Sequence, residues 1–230
     1  MITLSREELS RYPSQALSTG RNRTKAAVLL LEAGNERIVL KDFGERGFLV
    51  RNLIGRFSVA RECRALARLA SVPGIPALRG RVGPHALAWT FVPGTPLPRL
   101  RRRSLTGAFF DALESVVGDA HVRGVAIADL HHRNVLVEDG SGRPALIDFS
   151  LAVFRPQRRW NLPGTWLFER ACELDRLALS RIRERYEVRR PASEGAGPVL
   201  AEGHSTPRLL RAWSLGRFVK RTLRRLRGRA

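Results

Sequence analysis

Residues 121–151, HVRGVAIADLHHRNVLVEDGSGRPALIDFSL, constrain this chain more than any other stretch. The apolar run Val125-Ala126-Ile127-Ala128 delivers Asp129, and Asn134 follows five residues later. Two more apolar runs, Val135-Leu136-Val137 and Ala145-Leu146-Ile147, are separated by Glu138-Asp139-Gly140-Ser141-Gly142. Short apolar runs around a turn-rich connection predict a β-hairpin. Its second strand runs into Asp148-Phe149-Ser150. A carboxylate, an amide and a second carboxylate are therefore expected at the ends of one small hairpin.

Phosphoryl transfer from ATP needs such a set. One Asp orients the attacking hydroxyl and accepts its proton, while an Asn and a second Asp hold the Mg²⁺ ions that bridge the phosphates. D-L-H-x-x-N followed by I-D-F resembles the catalytic core of the protein-kinase-like superfamily. The D-L-H form is most similar to RIO-type kinases and bacterial lipopolysaccharide core-sugar kinases. Against H-R-D-L-x-x-x-N and D-F-G, Asp129 and Asn134 keep the spacing, Ile127-Ala128 replace His-Arg, and Ser150 replaces the glycine. The competing reading, an ordinary hairpin with two turn carboxylates, requires several spaced matches to coincide. The resemblance implies an α+β, bilobal protein-kinase-like fold with a small β-rich N-lobe and a reduced helical C-lobe. It implies ATP and Mg²⁺, with Asp129 catalytic and Asn134 and Asp148 as metal ligands.

Upstream, residues 26–32 and 37–43 read as strands joined by the turn Ala33-Gly34-Asn35-Glu36. Lys41 ends Ile38-Val39-Leu40, as the lysine ends V-A-I-K, and the resemblance gives it the α- and β-phosphates. The alternative is a solvated strand lysine. The chain has 41 basic residues, of which only Lys25, Lys41 and Lys220 are lysines, so a lysine within a strand needs a reason. Residues 57–70 predict an amphipathic helix with Ala60, Cys63, Leu66, Ala67 and Ala70 at helical spacing. Its one acid, Glu62, stands 21 residues after Lys41, where the resemblance expects the partner of that lysine; Glu45 is the second candidate. Ser18-Thr19-Gly20 is similar to the phosphate loop of RIO-type kinases, which would put Gly20 and residues 21–24 over the triphosphate. A plain basic hairpin loop is the equal alternative. Residues 77–81 and 86–92 read as strands, and F-V-P-G-T-P-L looks like the hinge where Thr90, Phe91 and Val92 would meet the adenine edge.

Residues 105–123 predict a helix carrying Phe109, Ala112, Leu113, Val116, Val117 and Ala120 on one side. His121 reads as structural, and the family pattern makes His131 a loop-fixing residue rather than half of a metal pair with His132. Residues 151–166 would be the activation segment. No A-P-E follows, and no Arg precedes Asp129. Residues 167–186 predict a helix or helix pair. The expected organisation is a lead-in over 1–17, an N-lobe over 18–92, a C-lobe over 93–189, a linker over 190–207 and a basic amphipathic helix over 208–230.

The net charge of +20 points to an anionic partner: membrane, nucleic acid or substrate. The arginine skew fits codon composition as well as function. The 208–230 segment holds nine basic residues and no acid. Leu209, Trp213, Leu215, Val219, Leu223 and Leu226 fall on one side of its helical wheel, which suits an anionic membrane surface. RNA or ribosome binding is the weaker alternative, and packing on the kinase lobe is the structural one. Cys63 and Cys172 suggest neither a disulfide framework nor a metal site. The N-terminal residues, with Glu7 and Glu8 and no apolar core, do not read as a signal peptide. A cytoplasmic location follows, with peripheral attachment to the inner face of the membrane. The functional expectation is an ATP-dependent kinase for a hydroxyl acceptor, leaning to a lipopolysaccharide core sugar or another membrane-proximal saccharide. Three alternatives stand beside it: a RIO-type serine/threonine protein kinase, a pseudokinase binding module suggested by Ser150 and the glycine-poor loop, and a small-molecule phosphotransferase. The last has little chain left for an acceptor pocket.

Overall fold

Strand alternation organises the first half of the chain. The computed structural model describes residues 7, 9, 11–18, 24–158 and 160–188. Gly20, the expected linker and the basic 208–230 segment lie outside them. Five strands form one antiparallel sheet in the order β1-β2-β3-β5-β4: β1 (Ser14–Ser18), β2 (Ala27–Ala33), β3 (Glu36–Asp42), β4 (Leu78–Val82) and β5 (Ala86–Thr90). Leu30, Val39, Leu87 and Trp89 enter the main core. Leu31, Ile38, Leu40, Val82, Ala86 and Ala88 form a second cluster with Leu9. Lys41 follows Val39 by two residues and so shares its face of β3.

β1 falls almost wholly within the lead-in expected over 1–17, for which no strand was expected. It is an edge strand paired to β2, with Ser14 opposite Leu31. All five of its residues are exposed. It carries no buried alternation to read, and pairing rather than propensity makes it a strand.

The helix α1 (Arg56–Arg68) is entered through a wide π-type turn, Val50–Gly55. Its buried face is rotated from the expected one. Val59, Glu62, Cys63, Ala65 and Leu66 are inside, while Ala60, Ala67 and Ala70 are exposed. Alanines on several sides blur the periodicity, and the bulkier Val59 and Leu66 set the face. That rotation carries the Glu62 carboxylate into the core.

The second half contains β6 (Gly94–Pro96), α2 (Gly107–Val122), β7 (Val125–Ala126), β8 (Val135–Glu138), β9 (Pro144–Leu146), β10 (Val153–Phe154) and α3 (Leu162–Tyr186). The expected hairpin is β8–β9, with Val135 opposite Leu146. It gains β6 as a third strand, Gly94 opposite Glu138. A Cβ at Gly94 would lie 2.7 Å from the Val137 carbonyl oxygen, so this approach needs glycine. A second tie runs from the loop after α1. The Leu146 amide donates to the Gly74 carbonyl at 2.7 Å, and a Cβ at Gly74 (φ 78°) would meet the Pro144 carbonyl oxygen at 2.5 Å. The segment before β4 and the segment after β5 thus both grip the hairpin that ends in Asp148.

The final helix is single and starts at Leu162, earlier than expected. The Asn161 side chain accepts from the Gly164 amide, and a proline occupies the first turn. This cap shortens the segment that follows Ser150. Among the described residues, no helix is long and apolar enough to cross a membrane.

Candidate active site

The site assembles where β3, α1 and the chain after β9 meet. Lys41 Nζ donates to Glu62 Oε2 at 2.7 Å and to Asp148 Oδ1 at 3.0 Å. Lys41 and Glu62 are buried; Asp148 keeps 40% of its side chain exposed. Burial opposes the Lys41 charge, but Glu62 and Asp148 outweigh it and hold the ammonium above its ordinary pKa. Burial pushes the Glu62 carboxyl upward, against the pull of Lys41 and a hydrogen bond from the Phe149 amide. Asp148 experiences the same burial penalty. Lys41 and Ser150 overcome it and hold the carboxyl down to about 2. The Ser150 hydroxyl donates to Asp148 Oδ1 at 2.6 Å, the same oxygen that receives Lys41. Oδ2 takes part in neither bond.

Asn134 is buried at the start of β8. Its Nδ2 donates to the Asp129 carbonyl at 3.3 Å, and its own carbonyl accepts from the Ile147 amide at 3.0 Å. It therefore joins the loop bearing Asp129 to the strand end bearing Asp148. The Asp129 side chain faces solvent. His131 shapes this loop through its backbone, since its carbonyl accepts from the Asn134 amide at 2.8 Å. Its Nδ1 is buried and has no hydrogen-bond partner among the described residues. Burial, with Arg185, His131 and Arg133 nearby, holds His132 below its ordinary pKa.

Both candidate carboxylates follow or occupy strained backbone. Ala128 (φ 59°) and Asp148 (φ 69°) adopt the left-handed conformation, which costs a non-glycine residue about 1–2 kcal/mol. Asp175 on α3 holds Ala128 in place. Its Oδ1 accepts from the Ala128 amide at 2.8 Å. Its Oδ2 accepts from the Ile127 amide at 2.7 Å and from His121 Nε2 at 2.9 Å. One buried carboxylate thus ties α2, α3 and the approach to Asp129 together. Sequence reasoning missed this role. The available signal was an acid on the apolar stripe of Ala171, Cys172, Leu179 and Ile182. A carboxylate there must be satisfied by buried donors.

At the end of β5, the Thr90 amide donates to the Ala77 carbonyl and the Phe91 amide to the Arg37 carbonyl, each at 2.9 Å. These two donors are spent within the fold. The Val92 amide takes part in neither bond. Among the described residues, no three His, Cys, Asp or Glu side chains converge as a metal cluster. The donor set of Asp148 Oδ2 and the Asn134 amide oxygen nevertheless suits Mg²⁺, which takes one or two protein oxygens and completes its shell with phosphate and water.

No protein-family model matches this chain, and no curated protein does. Solved structures do match. The Rio2 kinase–ADP/Mg²⁺–phosphoaspartate complex from Chaetomium thermophilum aligns with a TM-score of 0.56 at 16% identity, over 84% of this chain and 61% of that one. A second structure, the Rio2 kinase from the same organism, aligns with a TM-score of 0.57 at 15% identity, over 84% and 63%. The chain spans less than two thirds of the length of either structure. At this identity the likeness concerns architecture: the chain has an α+β, protein-kinase-like fold.

Proposed function

We propose that this chain is an ATP-dependent phosphotransferase that passes the γ-phosphoryl group to a hydroxyl acceptor. The Lys41–Glu62–Asp148 cluster carries the reading. A buried lysine held by an acid on α1 and by the acid at the end of the hairpin is what phosphate binding requires in a kinase fold. Lys41 holds the α- and β-phosphates, and Glu62 keeps its ammonium directed into the cleft. Asp129, exposed beside Asn134, orients the acceptor hydroxyl and takes its proton. Asp148 and Asn134 would hold Mg²⁺, which supplies charge neutralisation on the phosphates. The Val92 amide and Gly20 are the proposed contacts to the base and the triphosphate.

The acceptor in this reading is a membrane-proximal saccharide such as a lipopolysaccharide core sugar. The support is the basic amphipathic 208–230 sequence and the absence of an Arg before Asp129 and of A-P-E after it. Mg²⁺-dependent ATP turnover by wild type, Asp129→Ala and Asp148→Ala tests the reading, with lipopolysaccharide extract or protein as acceptor. Turnover should be lost in both variants and stimulated by the saccharide. Stimulation by protein instead would support a serine/threonine kinase of RIO type. ATP binding without turnover would support a pseudokinase.

A further inference from the structure

Between Asp148 and Glu169 the chain contains no acid, and it carries three arginines and two tryptophans. This stretch leads from the site to the first turns of α3. Four large apolar side chains near its end are exposed, Trp160 at 72%, Leu162 at 71%, Trp166 at 53% and Leu167 at 37%, while Phe149 and Phe168 are buried. Arg155 and Arg158 are also exposed. The Arg158 guanidinium lies 5.2 Å from the Trp160 ring centroid and that of Arg155 4.8 Å from Phe168.

The patch is anchored beside the catalytic loop. β10 pairs with β7, the strand two residues before Asp129. Phe168, next to Leu167, packs with Ala126, Ala171 and Cys172, and Ala128 lies against that cluster. The helix turn that exposes Trp166 and Leu167 is therefore the turn that backs the approach to Asp129.

We propose that this patch seats on an anionic lipid surface. Tryptophan with leucine on one side and arginine around them is the composition of an interfacial segment. The acid-free, arginine-bearing stretch complements phosphate or carboxylate headgroups. Leu162 and Leu167 favour lipid over single-stranded nucleic acid, whose bases stack on rings and gain little from aliphatic side chains. Placing the acceptor hydroxyl at that surface rests on the phosphotransferase reading above; the lipid contact itself does not.

The test uses the full chain carrying Trp213→Phe, which leaves Trp89, buried in the sheet, and the two patch tryptophans as emitters. Binding is measured to phosphatidylglycerol vesicles and to phosphatidylcholine vesicles, with brominated acyl chains as quencher. Trp160 and Trp166 should be quenched on the anionic vesicles. W160S/W166S should weaken binding at least about tenfold, the value of removing one well-buried apolar side chain, and W160F/W166F should restore most of it. Each arginine that meets the headgroups should add about fivefold over the zwitterionic surface. Unquenched tryptophans, or equal binding by W160S/W166S, would overturn the proposal. So would loss of single-stranded RNA binding in W160S/W166S with vesicle binding intact. ATP turnover in detergent-free buffer, assayed separately, reports on the phosphotransferase reading whatever the vesicles show.

Discussion

Asp175→Ala would remove the acceptor for the buried Ile127 amide, the part-buried Ala128 amide and one imidazole N–H, at 2.7, 2.8 and 2.9 Å. Each donor left unsatisfied costs about 1–3 kcal/mol. Ala128 would then be free to leave its φ of 59°, recovering about 1–2 kcal/mol. The net loss is about 1–8 kcal/mol with a midpoint of about 4–5 kcal/mol, a large part of the roughly 5–15 kcal/mol that a domain possesses. Asp175→Asn keeps the shape and one oxygen, turning the other position into a donor facing a donor. Its loss should be about 1–3 kcal/mol. Urea unfolding followed by tryptophan emission measures both, with the slope unchanged if only stability has altered. Turnover should fall further in Asp175→Asn than stability does, because Asp129 follows Ala128 directly. A loss below about 1 kcal/mol in Asp175→Ala, under the whole expected range, would refute the claim that Asp175 holds the loop.

Lys41→Met should cost about 3–5 kcal/mol by leaving Glu62 buried without a countercharge. Lys41→Met/Glu62→Leu should recover much of that stability and none of the turnover, as urea unfolding and an ATP assay would show. Gly74→Ala should lower the melting temperature, because the new Cβ meets a backbone carbonyl at 2.5 Å where φ is 78°; calorimetry measures it. The Asp148 carboxyl lies below its ordinary value of 3.8, at about 2. Its contribution is therefore complete above pH 4 and lost as pH falls toward 2. At 40% exposure it is worth no more than about 1–2 kcal/mol. An acid titration of stability should show a step there that Asp148→Asn removes.

The hairpin and the two long helices were legible because their signals are local. Apolar runs around a glycine turn specify β8–β9, and 3.6-residue spacing marks α2 and α3. Lys41 and Glu62 were expected as a pair and Asp148 as a separate carboxylate, and the fold brings all three within hydrogen-bond distance. β1 was not legible, since an exposed edge strand owes its form to its neighbour. Asp175 was not, since its three donors lie 47 to 54 residues away. The rotation of α1 was hidden by its alanines, which fit either face.

The two grips on the hairpin that ends in Asp148, at Gly74 and at Gly94, constrain how the two halves of the fold can move. Two fixed attachments define an axis, and rigid halves tied at both can move only by rotating about it. Lys41–Asp148 and the Phe149–Glu62 bond also join the two halves, and such a rotation would strain them. In the phosphotransferase reading, such motion would be governed by the same charges proposed to hold the phosphates. Screening of the part-exposed Asp148 would then make the rate of that motion depend on ionic strength.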